Sequence, residues 1–208
     1  MADARRIPPT FRGMRIGLFG GSFNPVHEGH RRVTEFVMRR ARLDRIWWIV
    51  TPGNPLKDHG DLAPLDERVA LARAINTDPR VEVTAFEALF AVRYTADTLR
   101  ILKTLRPDVR FVWIMGADNL AGFHRWQDWR SIAAMMPMIV VDRPGATHSV
   151  LASRAAIALA PYRIAERRVS AIVAMKPPVW TFLRGLSLPH SSTAIRAAAA
   201  QRRAVPHR

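Results

Sequence analysis

Apolar residues fall in short runs, and the stretches between them carry helical spacing. Residues 14–20 (MRIGLFG), 45–51 (RIWWIVT), 81–83, 109–115 (VRFVWIM), 138–141 and 179–183 (VWTFL) are compact, β-prone segments. Several are closed by Gly or Pro, as at Pro52-Gly53-Asn54-Pro55, the pattern of buried strands. Residues 27–42 predict a helix with Val33, Phe36, Val37 and Leu43 on one face. Residues 65–76 predict another, with Asp66 and Glu67 in the first turn, where the helix dipole favours acids. A third runs over 95–105 and stops before Pro107. The Ala- and Arg-rich stretch 145–176 is read as one or two helices, and Ser191 opens a final one.

Strands alternating with helices predict an α/β fold, a doubly wound, mainly parallel sheet with helices on both faces. Such sheets bind ligands beyond the carboxyl ends of the strands, where strand order switches. Functional residues are therefore expected just after Phe19, Thr51, Met115 and Leu183. No repeat of solenoid period is present.

Composition narrows the classes. The chain has 208 residues, 49% hydrophobic and 24% charged, which excludes a mainly disordered, collagenous or coiled-coil chain and suits one domain. Residues 1–13, with Arg5, Arg6, Pro8, Pro9 and Arg12, are expected to form a disordered basic tail, and 14–208 a single domain. The tail lacks a signal-peptide core, no apolar run reaches 18 residues, and a cytoplasmic location is the default expectation. Cysteine is absent, so disulfides and thiolate chemistry are excluded. The net charge of +15 invites a nucleic-acid hypothesis. However, 29 of the 32 basic residues are arginines scattered among alanines, not clustered with aromatics. A positive field equally suits a small polyanionic substrate.

The segment Phe19-Gly20-Gly21-Ser22-Phe23-Asn24-Pro25-Val26-His27-Glu28-Gly29-His30 carries the most chemistry. Paired glycines ahead of a helix start let backbone N–H groups gather on an anion. The segment is neither a Walker A loop nor a G-x-G-x-x-G fingerprint. His27 and His30, three apart, share a helix face and can donate to phosphate oxygens. Zinc binding is the rival reading, although the spacing is not the His-Glu-x-x-His of metalloproteases. Simple capping or packing is the bland one.

With that segment and Ser191-Ser192-Thr193-Ala194-Ile195-Arg196 about 160 residues later, the chain resembles the HxGH nucleotidylyltransferases. These are Rossmann-like enzymes that transfer a nucleotidyl group from a nucleoside triphosphate. Tyr94-Thr95-Ala96-Asp97-Thr98-Leu99, Gly116-Ala117-Asp118-Asn119-Leu120, Trp126, Trp129 and Asp142-Arg143-Pro144-Gly145 extend the likeness. With them the chain is similar to the bacterial nicotinate-nucleotide adenylyltransferase family over residues 14–196.

The resemblance implies adenylyl transfer from ATP to nicotinate mononucleotide, giving nicotinate adenine dinucleotide and pyrophosphate, a step of NAD biosynthesis. It implies that Gly20, Gly21, Ser22, Phe23, His27, His30, Gly116, Asp118, Ser191, Ser192, Thr193 and Arg196 bind ATP. His27, His30 and Arg196 would be catalytic. Tyr94, Thr95, Trp126, Lys57 and Arg143 would hold the acceptor. Mg2+ is expected to ride on the ATP phosphates and water, with no protein ligand. ATP and nicotinate mononucleotide are the expected partners, without nucleic acid or membrane, and a homo-oligomer is left open. The bland alternatives are helix capping for Ser191–Thr193 and Asp118, and packing for Trp126. Trp47 and Trp48 are assigned to strand packing.

The chain departs from the family in places. Ser22 and Asn24 stand where Thr and Asp are usual, Leu56 where many members carry His, and His190 where an aliphatic residue is common. The alternatives are a sister adenylyltransferase acting on the amidated mononucleotide or on phosphopantetheine, a basic nucleic-acid-binding module, or a non-catalytic relative.

Overall fold

The computed structural model describes residues 6–53, 62–142 and 147–185. Six strands form one sheet: β1 (Arg15–Gly21), β2 (Arg45–Val50), β3 (Val81–Thr84), β4 (Arg110–Gly116), β5 (Met138–Val141) and β6 (Trp180–Leu183). Their order is β3-β2-β1-β4-β5-β6, and every pairing is parallel. This is the Rossmann-like sheet, and the order reverses between β1 and β4.

The period-2 alternation of each strand feeds two cores. Ile16, Leu18, Trp47, Ile49, Phe111, Trp113, Met115 and Trp180 face one side. Phe19, Ile46, Trp48, Val50, Val112, Ile114 and Val141 face the other. Trp47 and Trp48 are therefore wholly buried on opposite faces, in strand packing as expected. The second face is covered by α1 (Glu28–Ala41), α2 (Leu65–Ile75) and a 3-10 run over Glu166–Ala174. The first is covered by α3 (Thr95–Leu105), α4 (Ala117–Gly122), α5 (Trp129–Met135), α6 (Thr147–Leu151) and α7 (Arg154–Ala158).

Several expectations change in detail. Helix α1 ends at Ala41, because Arg42 turns left-handed at φ 53° and caps back onto the Met38 carbonyl. Leu43 therefore reaches the core from beyond the helix. Between residues 147 and 176 the chain forms two short helices, as expected of this stretch, and adds 3-10 turns after them. Part of the segment read as a tail is tied down: the Arg6 carbonyl accepts from the Thr84 hydroxyl at 2.9 Å, Pro8 is buried, and Gly13 N–H donates to the Asp108 carbonyl at 2.8 Å. No described helix is long and apolar enough to cross a membrane.

Candidate active site

The last register pair of β1 and β4 is Phe19 against Ile114. Two residues further on, Gly21 and Gly116 end the two strands, and their loops diverge at the switch point. Both glycines of the first loop lie inside β1, and neither has a left-handed φ. Gly20 is required for a different reason from an open anion nest. A β-carbon there would lie 2.6 Å from Cη2 of the Trp113 indole.

Phe23 follows with φ 48°, uncommon for a residue with a side chain. Packing holds it there. Its ring stacks on Trp48 at 5.4 Å and lies 4.8 Å from the His30 ring. Trp48 is fixed in turn by its Nε1–H, which donates to the Thr34 hydroxyl at 2.7 Å. Thr34 lies one turn beyond His30 on α1. A layer of Phe23, Trp48 and Thr34 thus backs the imidazole.

His27 is the N-cap of α1 in extended conformation, and His30 lies in the first turn. Their ring centroids are 3.9 Å apart. The His27 N–H donates to His30 Nδ1 at 3.1 Å. A ring nitrogen that accepts carries no proton, so the neutral His30 ring has its proton on Nε2 and offers a donor there. Both imidazoles thus stand at the positive end of a 14-residue helix beside the switch point. Among the described residues no three His, Asp or Glu gather into a cluster that could hold a metal ion.

After β4, the N-cap of α4 is Gly116, with Ala117 buried behind it. Asp118 lies exposed in the first turn and is not the cap. The capping alternative for Asp118 is therefore corrected.

On the other face, Tyr94 is the extended N-cap of α3, with Thr95 after it. Tyr94 is 37% exposed. Trp126 is half-buried and edge-on to Phe123 at 5.4 Å and to Trp113 at 6.4 Å. Trp113 is therefore shared: one part of its indole lies against Gly20, and another meets Trp126. Arg100 on α3 pairs with Asp97 and with Asp128, tying the helix of Tyr94 and Thr95 to the turn that follows Trp126.

Lys57, Arg143, Ser191, Ser192, Thr193 and Arg196 lie outside the described residues, as do Leu56 and His190. Two buried polar groups beside the site were not singled out by the sequence reading. Arg68 of α2 is 1% exposed, and Glu87, in a 3-10 turn after β3, is 6% exposed. The only trace of Arg68 in the sequence is its place in the apolar stripe with Val69 and Ala72.

The sequence model of the cytidylyltransferase-like family matches residues 18–198. A protein of Brucella abortus (strain 2308) named "Probable nicotinate-nucleotide adenylyltransferase" is 55% identical over 183 residues, covering 88% of this chain and 94% of that protein. One of the same name from Methylorubrum extorquens (strain PA1) is 57% identical over 183 residues, covering 88% and 99%. In fold, the chain is similar to Plasmodium falciparum nicotinic acid mononucleotide adenylyltransferase complexed with NaAD. The TM-score is 0.60 at 17% identity, over 88% of this chain and 83% of that one.

Proposed function

The chain belongs to the cytidylyltransferase-like family, and we propose that it is the nicotinate-nucleotide adenylyltransferase of that family. It transfers the adenylyl group of ATP to nicotinate mononucleotide, releasing pyrophosphate and forming nicotinate adenine dinucleotide for NAD biosynthesis. The observation that carries this reading is the pair His27 and His30 at the N-terminus of α1, beside the β1/β4 switch point, in a chain 55–57% identical to proteins of that name.

The reaction asks little covalent chemistry of the protein. A phosphate oxygen of the mononucleotide attacks the α-phosphorus of ATP. A P–O bond forms as the bond to the bridging oxygen breaks, and the electron pair leaves with pyrophosphate. The attacking group is already anionic, so no base or protein nucleophile is required. Alignment of the two substrates accounts for much of the rate, about 7–11 kcal/mol in ideal intramolecular cases.

In this reading the main chain of Gly20 to Phe23 and the rings of His27 and His30 receive the triphosphate. His27 takes the α-phosphate, and His30 donates from Nε2. Gly116 and Asp118 face the nucleoside, with Asp118 accepting from a ribose hydroxyl. Ser191, Ser192, Thr193 and Arg196 grip the distal phosphates, the hydroxyls and guanidinium acting as charge-assisted donors. Tyr94, Thr95 and Trp126 receive the pyridine ring, and Lys57 and Arg143 its phosphate. Mg2+ carried on the ATP phosphates would supply charge neutralisation there, and no side chain of this protein is assigned to hold it.

Purified protein given ATP, Mg2+ and nicotinate mononucleotide should release pyrophosphate. Turnover should be at least tenfold lower with the amidated mononucleotide, and absent with phosphopantetheine. Pyrophosphate release with phosphopantetheine alone would overturn the assignment.

A further inference from the structure

Arg68 projects from α2 into the space between the carboxyl ends of β1 and β2, and it is almost wholly buried. Its Nε donates to the Ala63 carbonyl at 2.8 Å. One terminal nitrogen donates to the Ser22 carbonyl at 2.7 Å and to the Thr51 carbonyl at 2.8 Å. The other donates to the Pro52 carbonyl at 3.3 Å. All four of these bonds end on main-chain oxygens. With no carboxylate among the described residues bonded to it, burial pushes the Arg68 pKa down from its ordinary value, yet a guanidinium stays charged in a protein.

A charge buried in this way is costly and needs a reason. An apolar residue would fill the same space without that cost. What it could not do is hold three chain segments at once: the loop after β1, the loop after β2, and the entry to α2. Only the planar fork reaches all of them.

The orientation matters for the loop after β1. The Ser22–Phe23 peptide is not among the cis bonds. In a trans peptide the N–H points opposite to the carbonyl. With the Ser22 carbonyl drawn onto Arg68, the Phe23 N–H is aimed away from it. Phe23 itself is left-handed, at φ 48°, a backbone state that helps successive N–H groups converge on an anion. The same argument applies to the Pro52 carbonyl and the Gly53 N–H.

We propose that Arg68 is a positioning residue for the triphosphate. It makes no substrate contact, but it fixes the peptides after β1 and β2 so that their N–H groups face the phosphates. The inference rests on the reading above, that the loop after β1 receives the triphosphate. Its permanent charge also adds a fixed positive field in a setting where water screens little.

The test uses the full-length protein and the variants Arg68→Lys and Arg68→Met, each checked for folding by circular dichroism. Assayed well below their melting temperatures, both should raise KM for ATP and lower kcat by at least tenfold. KM for the mononucleotide should stay within about twofold of the wild type. A lower Tm with unchanged KM for ATP and unchanged kcat would make Arg68 merely structural and overturn the proposal.

Should the variants not fold, wild-type protein labelled on its amides and titrated with inorganic tripolyphosphate decides the matter. The Phe23 and Gly53 amide resonances should shift among the largest. Shifts elsewhere in the loop after β1 that spare Phe23 would overturn the positioning role and leave the triphosphate reading standing. No shift anywhere in that loop would remove the triphosphate reading, and the proposal with it.

Discussion

The hydroxyl of Thr98 donates to Oε1 of Glu87 at 2.6 Å, with both side chains enclosed. Thr98 lies one turn beyond Tyr94, whose carbonyl its N–H also meets at 3.2 Å. The buried carboxyl therefore anchors the start of α3, where the candidate acceptor residues Tyr94 and Thr95 stand.

Burial pushes the Glu87 pKa up to about 7, against the smaller opposing effect of the Thr98 hydrogen bond. The folded protein thus keeps a proton that the unfolded chain releases near pH 4.5. Stability from this group is full below about 4.5 and is lost as pH rises towards 7. The loss is on the order of 3 kcal/mol. Glu87→Gln keeps an acceptor for Thr98 and removes the titration. Its Tm should exceed that of the wild type at pH 8, and the difference should shrink by pH 5. Parallel Tm-against-pH curves for the two proteins would refute this account.

His27→Ala should lower kcat by about 100-fold, the scale for losing one transition-state donor. The imidazole also stands at the helix N-cap, so His27→Asn serves as a control that restores capping. Both variants should lose turnover, while Asn recovers most of the Tm. Full turnover in the Asn variant would reduce His27 to a cap.

The strands were legible because parallel strands buried on both faces read as unbroken apolar runs, as in RIWWIV and RFVWIM. Helices α4 and α5 were not. Six and seven residues are too few for a 3.6-residue period to declare itself. In the site, His27 and His30 were legible because a helix start and a three-residue spacing place them without tertiary information. Arg68 was hidden among 29 arginines, most of which read as solvated surface. Its burial follows from how α2 lies across two strand ends, which no local pattern encodes. Glu87 was hidden in the same way, since its partner Thr98 is brought to it by the packing of α3.

Trp126→Ala should raise KM for the mononucleotide at least tenfold and leave KM for ATP within about threefold. Trp126 also packs edge-on against Phe123 and Trp113, so truncation should cost stability too, about 1 kcal/mol per aromatic pair beyond the area lost. Trp126→Phe retains a ring and should recover most of both effects. Equal losses in the two KM values would mean that Trp126 acts through the fold instead of through the acceptor.

Gly20 and Gly21 are neighbours whose substitutions should differ sharply. At Gly20 a β-carbon would meet Cη2 of Trp113 at 2.6 Å and Cζ2 at 3.2 Å. That indole is a rigid, buried side chain of β4 that packs edge-on against Trp126, so something must shift, at a cost of about 1–3 kcal/mol. At Gly21 a β-carbon would meet the Phe23 ring at 3.4 Å, an ordinary contact. Gly20→Ala should therefore lower the denaturation midpoint clearly, and Gly21→Ala by a fraction of that. Because Trp113 also touches Trp126, displacement by Gly20→Ala should raise KM for the mononucleotide as well as for ATP. If the two variants lose equal stability and only KM for ATP responds, the first glycine serves access of the anion to the backbone, not the seating of the indole.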